Sequence, residues 1–279
     1  MRLQEKTLTL INNAKAILAA HNPMTVRQVY YQLVSRQVEN NRNRYQAVSD
    51  AIVKARQQGI IPWEWIEDRL RRPREVSMWA DLAEFSDVAA RAYRRDVWVT
   101  QPVYVEVWLE KDALSGIFED TLEPYGVTLN VGRGFDGWSS IRNAAERYAE
   151  RAEDGVDVTV LYFGDFDPSG EEMVRSLRDR LAYFESRPEI IKCALTMSDI
   201  ERYKLPPDFA KKTDSRAAKF IAKHGDVSVE LDALPADVLI PRLVEEIERR
   251  MDTVELEQVR AKQEVERERL IGALTTVEG

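Results

Sequence analysis

Two apolar stretches that each run into acidic residues constrain this chain more than any other feature. Val103, Val105, Val107 and Leu109 alternate with period two and lead into Glu110, whereas Val158-Thr159-Val160-Leu161-Tyr162-Phe163 is apolar almost throughout and leads into Gly164-Asp165-Phe166-Asp167. Such patterns predict strands, and a strand apolar along its whole length is one covered on both faces, as in a parallel sheet. Between the two, the spacing predicts a helix over 112–123, a short strand over 127–131 and a helix over 138–153. Beyond them it predicts a helix from Pro168 to Phe184, a strand over Ile190–Leu195, a helix near Ser215–Lys223, a strand over Val227–Leu231 and a long terminal helix from Leu243 to Leu274. Helix and strand in alternation predict an α/β fold whose parallel sheet is flanked by helices.

The front of the chain reads differently. Leu8, Ile11, Ala14, Ile17 and Leu18 recur at helical spacing over 3–20, and Asn22-Pro23 ends that helix. Thr25 is placed to cap a second helix, running to Arg36 and carrying Val26, Val29, Tyr30 and Leu33 on its apolar side. Tyr45, Val48, Ile52 and Ala55 mark a third, which Gly59 ends, and Gly59–Ile66 reads as a short extended wing. Helix, turn, basic helix and wing together resemble a winged helix-turn-helix. An exposed linker at Arg69–Arg74 and a helix from Trp79 to Arg94 lead to the first strand. The expected organisation is a winged-helix unit over 1–75, a linker helix over 76–100, an α/β unit over 101–240 and a terminal helix over 241–279.

The net charge of −8 argues against nucleic acid until it is divided along the chain. Residues 1–100 hold 16 Lys/Arg against 11 Asp/Glu, and the remainder holds 24 against 37. A basic front joined to an acidic remainder suits a DNA-facing module, with Arg42, Arg44, Lys54 and Arg56 as its expected contacts; a solvated charge run is the plain alternative. The single cysteine, Cys193, excludes an intrachain disulfide and a thiolate-rich zinc site, and its apolar neighbours predict a buried thiol. No apolar run approaches the roughly 20 residues that span a bilayer, and Met1–Lys6 lacks a secretory apolar stretch, so a cytoplasmic protein without a membrane partner is expected.

In open parallel sheets functional groups collect at the carboxyl ends of the strands, where both acidic clusters are expected to fall. Asp165 and Asp167 point the same way if the strand continues through them, and Glu110 comes from a neighbouring strand. Three carboxylates without His or Cys form an oxygen-only set suited to Mg²⁺, with Mn²⁺ as the other candidate. Each motif also has a plain reading: Asp167-Pro168 as a helix start, Glu110-Lys111-Asp112 as a solvated strand end. Farther on, Asp232 reads as a helix-start cap, a reach of Asp232 or Glu230 to the metal being the alternative, and Lys211–Arg216 reads as a basic turn able to touch phosphate.

Taken together, Glu110-Lys111-Asp112-Ala113 and Asp165-Phe166-Asp167-Pro168-Ser169-Gly170 resemble the Toprim signature. The form is that of the A subunit of type IIB topoisomerases (topoisomerase VI) and of the meiotic double-strand-break transesterases. Gly132-Arg133-Gly134-Phe135-Asp136-Gly137 stands where that family has a glycine-flanked basic turn before a helix carrying Arg142, and the resemblance runs from about residue 24 to 175. It implies that Glu110, Asp165 and Asp167 bind the metal and that Arg133 or Lys111 contacts phosphate. Upstream, Arg27-Gln28-Val29-Tyr30-Tyr31 matches the family's arginine-to-paired-tyrosine motif. By that match Tyr31 attacks the DNA phosphate, leaving a 5′-phosphotyrosyl link and a free 3′-hydroxyl. Arg27, four residues earlier on one helix face, is placed to bind the same phosphate. A phenol of pKa about 10 needs a base or a positive charge nearby to react near neutral pH.

The family joins the tyrosine of one protomer to the metal of its partner, which implies a homodimer acting on double-stranded DNA. No Walker-type motif is present, so an ATP-driven gate would need a separate ATPase subunit. Two rival readings accompany this one. The first is a Toprim nuclease that hydrolyses DNA or RNA by metal-activated water with no tyrosine adduct. The second is a non-catalytic DNA-binding or partner-docking module whose acids are structural.

Overall fold

A computed structural model describes residues 5–34, 41–66, 76–132, 137–207 and 217–275. The Arg69–Arg74 linker, Arg36, the Lys211–Arg216 turn and residues 133–136 lie outside the described residues.

Three helices open the chain: α1 (Glu5–His21), α2 (Val26–Val34) and α3 (Arg42–Gln57). They pack on one another through Ile11, Ile17, Leu18, Val29, Leu33 and Ile52, all at most 1% exposed. The start of α2 is set locally: the Thr25 hydroxyl accepts from Gln28 N at 3.2 Å while Gln28 Oε1 accepts from Thr25 N at 2.7 Å, a reciprocal capping box. Asn41 caps α3, and Gly59 follows it at φ +68. The expected wing is a correction. Pro62 starts a 3-10 turn at Trp63–Trp65, and among the described residues only Ile66 pairs, by a single bridge to Met24.

After α4 (Leu82–Ala92), capped by Asp81, comes the sheet: β1 (Val103–Leu109), β2 (Thr128–Val131), β3 (Asp157–Phe163) and β4 (Glu189–Ala194). All are parallel, in the order β2-β1-β3-β4. The connections are α5 (Ser115–Leu122), α6 (Trp138–Glu153) and α7 (Pro168–Tyr183). The chain leaves β1 toward one edge and β3 toward the other, so right-handed crossovers place α5 opposite α6 and α7. Accordingly α6 packs with α7, and α5 packs with α10 (Ala236–Glu248). With helices on both faces, six of the seven β1 residues are buried, where alternation alone predicts one apolar face.

Three further expectations change near the C-terminus. Val227–Leu231 forms no strand: Val229 exchanges two 2.9 Å backbone bonds with Phe166, and a 3-10 turn follows at Leu231–Ala233. The reason is the partner, since Phe166 belongs to the turn between β3 and α7 and offers one rung instead of a ladder. The long terminal helix is two, α10 and α11 (Thr253–Thr275), because the Asp252 carboxylate accepts from Val254 N and Glu255 N and starts a new helix. Finally, α8 (Met197–Tyr203) was not expected, although Thr196 and Asp199 form a full capping box; α9 (Ala217–His224) lies near its predicted span. The buried residues form one continuous cluster from Ile11 to Val259. No described helix is long and apolar enough to cross a membrane.

Candidate active site

β1 and β3 are neighbours in register, Leu109 beside Phe163, and the ladder runs one residue further through Glu110 N to Phe163 O at 2.9 Å. That rung brings Glu110 to the turn after β3, at the point where the two connections diverge and a parallel sheet opens a crevice. Glu110 Oε2 accepts from Asp165 N at 2.9 Å. Glycine at 164 permits this, because a Cβ there would lie 2.5 Å from Glu110 Oε2. Asp165 is 6% exposed; its Oδ1 accepts from Leu231 N at 2.8 Å and its Oδ2 pairs with Lys111 Nζ at 2.9 Å. Asp167 caps α7, accepting from Gly170 N at 2.6 Å, as its plain reading holds.

Burial, then repulsion from Asp165 and Asp167, pushes the Glu110 carboxyl up to about 7, with Lys111 opposing. Burial likewise raises Asp167, Asp165 adding to the effect. Lys192, whose Nζ donates to Asp165 O at 2.9 Å, is drawn below the usual lysine range by burial against the pull of Glu110, Glu171, Asp167 and Asp165. Among the described residues no three His, Cys, Asp or Glu side chains already stand as a cage for one ion. Each of the three carboxylates is turned to a local donor instead.

On the other side of Lys111 stands the tyrosine. The Tyr31 hydroxyl donates to Glu230 Oε2 at 2.8 Å, Arg27 Nη2 bonds the same oxygen, and Lys111 Nζ lies 3.7 Å from it. Arg27 Nε sits 2.7 Å from Asp232 Oδ2, an ion pair without hydrogen-bond alignment, and its guanidinium carbon is 5.8 Å from the Tyr31 ring centre. Burial works to lower the Arg27 guanidinium, but Asp232, Tyr31 and Asp165 outweigh it and hold it above its ordinary value. Contacts of hydrogen-bond or ion-pair range therefore run within one chain from Tyr31 through Glu230, Lys111 and Asp165 to Glu110.

Of the residues expected in the site, Arg27, Tyr31, Lys111, Glu110 and Asp165 come together, with Asp167 at the edge. Tyr30 packs away, its hydroxyl exchanging bonds with the backbone of Asn41. Arg44 and Lys54 are exposed on α3, and Arg56 stacks 4.2 Å over Trp63. The Arg42 side chain and the whole of Arg133 lie outside the described residues.

Asp232 is a correction: its 3-10 turn has no side-chain cap, and the carboxylate, fully buried, faces Arg27. A second feature went unexpected. Glu106, at 0% exposure, takes bonds of 2.7 to 3.0 Å from Tyr104, Asn130, Arg147 and Tyr148. A carboxylate inside an apolar strand is the signal for such a network, since an unpartnered one would be expelled. Compared with protein-family models and with curated protein sequences, the chain finds no match.

Proposed function

We propose that this chain cleaves DNA by tyrosine transesterification, with Tyr31 as the nucleophile and a Toprim-type metal site built from Glu110, Asp165 and Asp167. The observation that carries the reading is the continuous set of contacts that joins the Tyr31 hydroxyl to Asp165 and Glu110. On this reading α1 to α3, without the expected wing, act as the DNA-facing helical unit and the sheet with its helices as the Toprim unit.

In donor chemistry the three carboxylates suit Mg²⁺ or Mn²⁺, which would take them from the local donors they now hold. Their ligating atoms are all oxygen, as a hard cation prefers, and Glu110 is raised by burial first and then by repulsion from Asp165 and Asp167. When bound, the ion supplies charge stabilisation at the reacting phosphate. The protein's own groups do the rest. Arg27 holds the phosphate beside the phenol, Lys111 turns from Asp165 toward a phosphate oxygen, and Arg44 and Lys54 contact the duplex backbone. Two chains acting together would cut both strands, and strand passage would require a separate ATPase.

A second reading, direct hydrolysis of DNA or RNA without an adduct, is favoured by one observation: Tyr31 is only 8% exposed. Incubation with supercoiled DNA and Mg²⁺, followed by denaturation, separates the two. A protein–DNA adduct that disappears in Tyr31→Phe and in Glu110→Ala is expected. Cleavage that survives Tyr31→Phe supports hydrolysis, and cleavage that survives both Glu110→Ala and Asp165→Ala removes the metal site.

A further inference from the structure

We infer that Glu230 is the proton acceptor for Tyr31, a catalytic residue supplied by the segment between α9 and α10. The inference deepens the transesterification reading and rests on it. Near neutral pH only about one phenol in a thousand is ionised, so a tyrosine nucleophile needs a base within hydrogen-bond reach of its proton. Among the described residues, Glu230 places a carboxylate oxygen in that position, at 2.8 Å from the hydroxyl.

The plain alternative is that Tyr31 and Glu230 form a latch holding α2 against the 229–233 segment. The two acids of that segment divide the roles. Asp232, with 0% side-chain exposure, faces Arg27 from the inside. Glu230 is 27% exposed and lies on the open side, with Arg27 at 40% and Lys111 at 19%, where a phosphate would enter. A latch alone gives no reason for the phenol, the guanidinium and the ammonium all to converge on the more accessible carboxylate. Among the described residues, the charged and titratable groups facing Glu230 are Arg27 and Tyr31 from α2 and Lys111 just beyond β1, with Asp232 on its own segment and Asp165 behind Lys111.

In the step, the phenolic proton passes to Glu230 Oε2 and the phenolate oxygen forms the new bond to phosphorus. The bond from phosphorus to the 3′-oxygen breaks, and that oxygen leaves with its electron pair and takes a proton from water, which the proton then released by Glu230 to solvent replaces. Arg27, which is bonded to Glu230 and lies 5.8 Å from the Tyr31 ring centre, stabilises the phenolate as the proton departs. Resealing reverses the sequence, with Glu230 returning the proton to Tyr31.

The test is the pH dependence of adduct formation on supercoiled plasmid with Mg²⁺, comparing the full chain with Glu230→Gln. The expected loss is about 100-fold or more at pH 7, narrowing as the pH approaches the phenol's own ionisation near 10. An adduct rate within about threefold of the unsubstituted protein, or a loss of the same size at every pH, overturns the inference, the second being the mark of a latch. Glu230→Asp keeps a charge opposite Arg27 and Lys111 but withdraws the carboxylate, so it carries the same series if the glutamine variant does not fold. A deficit that narrows with pH supports the role, and a flat one removes it. If the unsubstituted protein forms no Tyr31-dependent adduct at any pH, the transesterification reading fails and this role with it. An adduct indifferent to Glu230 sinks the role alone.

Discussion

Glu110 couples the site to the stability of the whole chain. Its carboxyl stands at about 7 in the folded protein against an ordinary 4.5, so between those values the folded state binds more protons than the unfolded one. Stability of the metal-free protein is therefore expected to fall as pH rises through that window, and Asp167, also raised, acts in the same direction. The Glu110 share is on the order of 1–3 kcal/mol, reduced by the part of the site that water reaches. Thermal unfolding at pH 5 and pH 8 checks this. The midpoint should drop between the two, Glu110→Gln should remove much of the drop, and Mg²⁺ at pH 8 should raise the midpoint of the unsubstituted protein but much less that of Glu110→Gln. Equal slopes in the two proteins would show that Glu110 is not the charge-starved group.

Among elements, the turn from β3 into α7 is the most tightly specified. A Cβ at position 170 would lie 2.3 Å from the Asp165 carbonyl oxygen, and backbone does not yield as a side chain does. Gly170→Ala is expected to destabilise the fold by about 2–4 kcal/mol, read from denaturant midpoints. Gly137→Ala, where a Cβ meets no described atom within 4 Å, should cost less, about 1 kcal/mol at most, the cost of alanine at the α6 N-cap. Comparable losses in both would mean that helix ends, not the close approach, set the effect. Elements with local signals were legible: the period of β1, the Thr25 cap of α2 and the Asp167-Pro168 start of α7 all lie where the residues put them. Val227–Leu231 and Gly59–Ile66 were not, because a strand exists only if another strand lies beside it, and sequence periodicity carries no information about the neighbour.

At the scale of the molecule, α2 packs on the Leu231–Ala233 turn, so Tyr31 is joined to the carboxylates of its own chain. The resemblance implies a tyrosine that reaches into a partner instead. The two arrangements differ in a mixing experiment. With the site inside one chain, Tyr31→Phe and Glu110→Ala proteins mixed together should form no adduct, since each retains a defect in its only site. Restored adduct at a substantial fraction of the unsubstituted level would place the working site between protomers.

What the sequence determined by itself were β1 to β4, the acidic ends of β1 and β3 and the pairing of Arg27 with Tyr31 on one helix face, because each follows from spacing along a few residues. The positions of Glu230 and Asp232 were decided only by the tertiary structure. They lie about 200 residues from Tyr31 in the chain, and no local pattern distinguishes a carboxylate that caps a turn from one carried beneath a distant guanidinium. The Glu106 network falls between these cases. Its glutamate announces a buried charge from within an apolar strand, but which tyrosines, asparagine and arginine satisfy it depends on β2 and α6 being laid against β1.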